Sequence, residues 1–338
     1  MPVRSEIVLR AACVGLAITS VACSASSDSG APSTAFTSTT RQSTSATSAA
    51  QTSTTSTTTT SSTSTTSIAP RPTMHHEPTG WDDWPDCPTD PSIAAAPGDR
   101  LAVPGHDDRP TLLQTSFDTT GPLIVVFHGQ NGCIEKVQGQ TDLEEIATGW
   151  GVNVLWLSGA PVPTRSWNTN GRSCEPASTR GVDDLPYVEA AVAAAIDTGL
   201  DPSRVVALGK SNGAGMAVTA GCRRPMLFDV IVSIAGWASV GCDRADLSLF
   251  VEVGTDDEVF EVSDSRAIVD RWLSDVVTCE QPPVEETRER ARISTWTCGE
   301  QFVRFAVVEG MGHLWPTWSW FNADEEILRI ALGELPAD

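Results

Sequence analysis

Apolar residues follow two rhythms along this chain, and their alternation sets the expected fold. Short, nearly unbroken apolar runs recur at Leu123 to Phe127 (Leu-Ile-Val-Val-Phe), Val152 to Leu157, Val205 to Leu208, Val230 to Ile234 and Leu249 to Val253. Runs of that length, rich in β-branched residues and bounded by Gly, Pro or polar positions, are expected of strands buried on both faces. Leu112 to Phe117 predicts an earlier strand, and Ile293 to Cys298 with Gln301 to Val308 a hairpin around Gly299. The second rhythm is helical. Leu185, Val188, Val192 and Ile196 recur at three- and four-residue steps, which predicts a helix opening at Asp183 or Asp184. Asp142 to Trp150, Ala214 to Ala220, Ser263 to Val276 and Ala323 to Leu332 read as further helices. Strands alternating with helices imply an α/β protein with a mainly parallel central sheet and helices on both faces. In such sheets, sites lie beyond the carboxyl ends of the strands.

The pattern is absent from the first part of the chain. Arg4 and Arg10 precede an apolar run, Ala11 to Val21, too short to span a bilayer comfortably. It ends Ser20-Val21-Ala22-Cys23, which resembles a bacterial lipobox, in which the cysteine is lipidated. Residues 1–23 are therefore expected to be a lipoprotein-type signal segment. Residues 24–80 follow as a disordered stalk, since Ser, Thr and Ala dominate and Thr52 to Ser67 is all Ser and Thr. The folded domain is expected over 81–338, held at the cell surface by the lipid on Cys23.

Charge narrows the partners. A formal net charge of −21 argues against nucleic acid, and against a membrane partner other than through the N-terminal lipid anchor. Lysine occurs only at Lys136 and Lys210, a composition habit that carries no function by itself. Of nine cysteines, Cys13 leaves with the leader and Cys23 would carry lipid. Export makes disulfides the expected use of the rest, with Cys279–Cys298 and Cys222–Cys242 as the best pairs. Cys87, Cys133 and Cys174 cannot all pair with one another. The histidines are dispersed and no C-x-x-C occurs, so neither a metal site nor a cofactor is expected.

Candidate chemistry sits where three strands end. After Val205 to Leu208 comes Gly209-Lys210-Ser211-Asn212-Gly213, a G-x-S-x-G joining a strand to a helix. There the serine occupies a strained turn that lifts its hydroxyl above the sheet, and the helix that follows aims its free N–H groups at the same place. After Phe127 comes His128-Gly129-Gln130, where a second oxyanion donor is expected, the backbone N–H of Gln130 beside that of Asn212. After Val253 come Asp256, Asp257 and Glu258, any of which can supply an acid; after Val308 comes His313. His75 and His76 fall in the stalk, His106 precedes the core strands and His128 belongs to the oxyanion turn. Serine, acid and histidine in that order match the α/β-hydrolase fold. A serine hydroxyl attacks only when a base takes its proton, and the base needs a carboxylate to fix its tautomer.

Gly209 to Met216, Gly254-Thr255-Asp256-Asp257-Glu258-Val259 and Gly312-His313-Leu314-Trp315-Pro316 together resemble the polyhydroxybutyrate depolymerase-like esterases, relatives of the feruloyl and acetylxylan esterases of the first carbohydrate-esterase family. Ser166-Trp167-Asn168, Val182-Asp183-Asp184 and Asp201-Pro202-Ser203-Arg204-Val205 extend the likeness. The resemblance implies Asp257 as the acid and a serine esterase acting on a neutral carboxylic ester. Ala214 stands where that family has a glycine. A peptidase or lipase of the same fold, and a non-catalytic envelope protein binding through it, are the alternatives. Trp167 and Trp315 lie in loops expected to face the cleft as a flat apolar wall for substrate, the bland alternative being that they pack beneath those loops.

Overall fold

The computed structural model describes residues 87–88, 97–161, 164–169, 176–224, 226–238, 241–242 and 246–335. The expected signal segment, Cys23, the stalk and Cys174 lie outside these residues. The strands in chain order are β1 (Asp99–Arg100), β2 (Leu112–Gln114), β3 (Leu123–Phe127), β4 (Asn153–Leu157), β5 (Ala160–Pro161), β6 (Arg165–Ser166) and β7 (Val205–Lys210). They continue with β8 (Val230–Ile234), β9 (Ser248–Gly254), β10 (Val284–Arg288), β11 (Ala291–Cys298), β12 (Gln301–Val308), β13 (Thr317–Trp318) and β14 (Phe321–Asn322). Ten of them form one sheet in the order β1-β2-β4-β3-β7-β8-β9-β12-β11-β10. The middle, from β4 to β12, is parallel. The two flanks, β1-β2 and β11-β10, run antiparallel to their neighbours.

Every residue of β3, β4, β8 and β9 is buried, as an apolar run covered on both faces requires. The period of two divides each strand between two cores. Leu123, Val125 and Phe127 of β3 face helices α4 (Leu185–Asp197), α5 (Asn212–Arg223) and α6 (Val262–Arg271). Ile124 and Val126 face α1 (Ile134–Gln138), α2 (Leu143–Ile146) and α7 (Ala323–Ala331). The remaining short helix, α3, is Pro176–Thr179.

Departures from the expected elements have local causes. The early strand stops at Gln114 because the next residues turn away. The Asn153 carboxamide oxygen takes the Ser116 N–H, Asp118 caps Thr120, and Phe117 is left exposed. The helix expected over 142–150 tightens into a 3₁₀ turn at Ala147–Trp150 and closes on Gly151, whose φ of 76° suits glycine. The helix expected over 263–276 gives way to a π-helical turn at Trp272–Val276, where the Trp272 indole donates to the Leu247 carbonyl. Ile196, placed on the apolar stripe of α4 by periodicity, is exposed.

Disulfides join Cys222 to Cys242, Cys279 to Cys298 and Cys87 to Cys133. The first ties the end of α5 to the segment beyond β8 across a separation of 20 residues. Cys222→Ser with Cys242→Ser is expected to cost about 2–4 kcal/mol through the freed unfolded chain. Urea unfolding under non-reducing conditions checks this; a midpoint equal to wild type would remove the bridge from the account. No helix among the described residues is long and apolar enough to cross a membrane.

Candidate active site

Strand β7 delivers Ser211 to the carboxyl edge of the sheet, and α5 begins at the next residue. Ser211 has φ 57° and ψ −121°, a left-handed-side conformation that a residue with a Cβ adopts only when its surroundings force it. The forcing is visible. The Ser211 N–H is held by the Ile234 carbonyl at 2.9 Å. The backbones of β7, α5 and β3 meet so closely that a Cβ on Gly209 would lie 2.1 Å from the Gly213 oxygen, and one on Gly213 would lie 2.0 Å from the Phe127 oxygen. Only glycine fits at either place. The Asn212 side chain is committed to the backbone of Trp167, accepting from its N–H at 2.8 Å and donating to its carbonyl at 3.0 Å. Its own backbone N–H opens α5, where no intrahelical acceptor exists and the positive dipole end lies.

His313 leaves β12 and is 1% exposed. Its Nδ1 donates to Asp257 Oδ2 at 2.8 Å. The other oxygen of Asp257 accepts the N–H groups of Val259 at 2.8 Å and Phe260 at 2.9 Å, so the carboxylate is fixed on both sides. Burial pushes the Asp257 carboxyl up, but the His313 contact and those two N–H groups outweigh it and hold the group below its ordinary value. The two loops are tied together, Thr255 N–H to the Val308 carbonyl and Asp256 N–H to the Met311 carbonyl. Asp256 and Glu258, the other candidates for the acid, are exposed. With the proton kept on Nδ1, Nε2 is the basic nitrogen of His313. Ser211 and His313 border one cavity of about 420 Å³, and Gln130 lies on its wall.

His128 is an anchor. Buried at 0% exposure, it donates from Nδ1 to the Gly129 carbonyl and accepts the Gly159 N–H at Nε2. Burial, chiefly, lowers its pKa to about 4, so it stays neutral and shapes the turn that presents Gln130.

Trp167 and Trp315 do not face the cleft. Both are buried, at 0% and 2% exposure, because each indole N–H finds an internal acceptor, the His128 carbonyl for Trp167 and Asp324 for Trp315. Trp167 packs on Phe127 and His128 and so braces the turn from beneath.

Two buried titratable groups beside the site have no counterpart among the expectations from the sequence. Lys210 and Glu252 flank Ile234 on neighbouring strands, on the same face of the sheet. Lys210 Nζ donates to the His313 carbonyl at 3.0 Å. Burial pulls its ammonium down to about 8, against the pull of Asp257, Glu252 and Glu258. Glu252 is 0% exposed, and neither carboxyl oxygen finds a donor among the described residues. Burial first, and then Asp257, push its carboxyl well above 4.5. The signal was present: Glu between Val251 and Val253 is a charge inside an apolar strand.

Glu252 therefore keeps its proton in the fold where the unfolded chain has lost it. Stability from this group is complete below about pH 4.5 and is lost as pH rises toward the folded pKa. Glu252→Gln removes that loss, so its thermal midpoint is expected to gain on wild type as pH is raised from 5 to 8. Melting curves at both values check this, and a pH-independent offset would contradict it.

Among the described residues no group of His, Cys, Asp and Glu is arranged to hold a metal ion. No family model and no curated protein matches the chain. Solved structures do. An acetyl xylan esterase from Aspergillus awamori aligns over 67% of this chain and 94% of its own, with TM-score 0.53 and 15% identity. A Bacillus cereus carboxylesterase aligns over 67% and 95%, with TM-score 0.49 and 14% identity. At such identity the likeness speaks for architecture, and with the strand order above it establishes that this chain has the α/β-hydrolase fold.

Proposed function

We propose that the protein is a serine esterase that hydrolyses carboxylic esters with Ser211, His313 and Asp257. The observation that carries this reading is the buried Asp257–His313 pair at 2.8 Å, its imidazole bordering the same cavity as a serine held at φ 57°. In the reaction, Ser211 Oγ bonds to the carbonyl carbon while His313 Nε2 takes its proton. The N–H groups of Asn212 and Gln130 receive the oxyanion. Collapse expels the alcohol, protonated by His313, and leaves an acyl-Ser211 that water then cleaves by the same route.

A binding protein has no use for a strained serine or a desolvated carboxylate–imidazole pair, both of which cost stability. Among the described residues Val259 is the one aliphatic side chain on the wall of this cavity, which suits a short acyl group over the long chain of a lipase substrate. Solved esterases among the structural neighbours support ester over peptide. The three disulfides fit an extracellular or secreted protein. Export through residues 1–23, with lipid on Cys23, belongs to the same proposal.

The test is a panel of p-nitrophenyl esters of graded chain length, with a peptide p-nitroanilide beside them, given to the purified full chain. Acetate and butyrate are expected to turn over and longer esters to fall away. Cleavage of the anilide alone, or of nothing, would overturn the reading.

A further inference from the structure

The wall of the same cavity says what kind of ester belongs there; the inference rests on the esterase reading above. The chain holds two lysines among 338 residues, and both, Lys136 and Lys210, line the cavity that Ser211 and His313 border. The two differ in what they offer a substrate, because Lys210 lies in the field of Asp257, Glu252 and Glu258. Lys210 is spoken for by the His313 carbonyl. Lys136, on α1, is half-buried and pairs with no carboxylate among the described residues. Among the described residues no Asp or Glu stands on the cavity wall to neutralise it.

A second observation concerns Gln140, one helical turn further on. It is 8% exposed and lines the same cavity. Its Nε2 donates to the Lys136 carbonyl at 2.8 Å, which orients the carboxamide, while its Oε1 finds no donor among the described residues. The carboxamide makes this side of the cavity polar and unsuited to hydrocarbon, but its oxygen is an acceptor and does not itself hold an anion; the donor for a carboxylate is the Lys136 ammonium. The overall negative charge does not forbid an anion there. Salt screens distant charges beyond about 8 Å, whereas an ammonium on the wall acts at contact range.

We propose that the cavity takes an ester bearing a carboxylate, which Lys136 holds by a charge-assisted hydrogen bond. This replaces the neutral ester expected from the sequence resemblance. Lys136 is then the specificity-determining residue of the site, separate from the groups that make and break the bond.

Two substrate pairs test it, each exchanging a carboxylate for a neutral acetyl group of the same shape. Ethyl hydrogen succinate against ethyl levulinate places the charge on the acyl side. 4-Acetoxybenzoate against 4-acetoxyacetophenone places it on the alcohol side. In one pair the full-length protein is expected to prefer the carboxylate by about tenfold or more in kcat/KM. Lys136→Gln should erase that preference through KM, and Lys136→Arg should keep it. Arg292→Gln, which removes an exposed cation on β11, should leave the preference where it was. Equal or better use of the neutral member in both pairs overturns the proposal. So does a Lys136→Gln variant that slows both members equally, which would make the lysine a transition-state group instead. Hydrolysis of none of the four, with p-nitrophenyl acetate left intact as well, overturns the esterase reading and this one with it; turnover of p-nitrophenyl acetate with none of the four hydrolysed, or with no preference within either pair, overturns this one alone.

Discussion

Ser211→Ala is expected to lower ester turnover by on the order of 10⁴-fold or more while leaving the fold in place. The hydroxyl is the atom that bonds to the acyl carbon, so no neighbour can replace it. Binding and the oxyanion N–H groups of Gln130 and Asn212 survive the change and set the residual rate. The fold should survive because the Ser211 N–H keeps its bond to Ile234, and alanine carries the same Cβ into the same conformation. Kinetics on p-nitrophenyl acetate, read beside circular dichroism and a melting curve, give both halves. Retention of a tenth of wild-type activity would remove Ser211 from the mechanism.

The acid yields the second large effect. In Asp257→Asn the carboxamide can still accept from Val259 and Phe260 with its oxygen, so the loop keeps its form. What it then turns toward His313 Nδ1 is an N–H₂ donor. That favours the tautomer with the proton on Nε2, the wrong nitrogen for taking a proton from Ser211. A comparable exchange costs about 10⁴ where a triad has been measured, so a loss of about 10³–10⁴ in kcat is expected here. Asp256 and Glu258 are exposed, and the His313 Nδ1 bond goes to Asp257, so Asp256→Asn and Glu258→Gln should each stay within about tenfold of wild type. Inactivity of Asp256→Asn would shift the assignment by a residue; full activity in all three would take the acid out of this loop.

The core of the fold was legible because β3, β4, β7, β8 and β9 are buried on both faces, which writes uninterrupted apolar runs into the chain. The rim was not. β10 is an edge strand of sequence Val-Glu-Glu-Thr-Arg, largely exposed, and an edge kept charged against unwanted pairing carries no apolar alternation to read. The two-residue pairs β5–β6 and β13–β14 are too short for any period.

At the site, Ser211, Asp257 and His313 could be named because each follows a strand end, and strand ends were the readable part. Trp167 and Trp315 were placed in the cleft on loop position alone. Position in a loop does not say which way a ring turns, and an indole N–H turns toward an acceptor. For both residues the acceptor lies inward, and it is supplied by residues distant in sequence for Trp167 and on the next helix for Trp315. Two of the disulfides, Cys222–Cys242 and Cys279–Cys298, were expected from spacing along the elements; Cys87–Cys133 needed the fold to bring its halves together.

The measurement that bears most directly on the mechanism is covalent labelling by a fluorophosphonate, which reacts far faster with a serine whose proton a neighbouring base removes than with an ordinary one. The purified full chain is treated, digested, and the modified peptide sequenced by mass spectrometry. A single adduct on Ser211 is expected, absent from Ser211→Ala and strongly slowed in Asp257→Asn. An adduct on another serine, or none while ester hydrolysis proceeds, would contradict the mechanism.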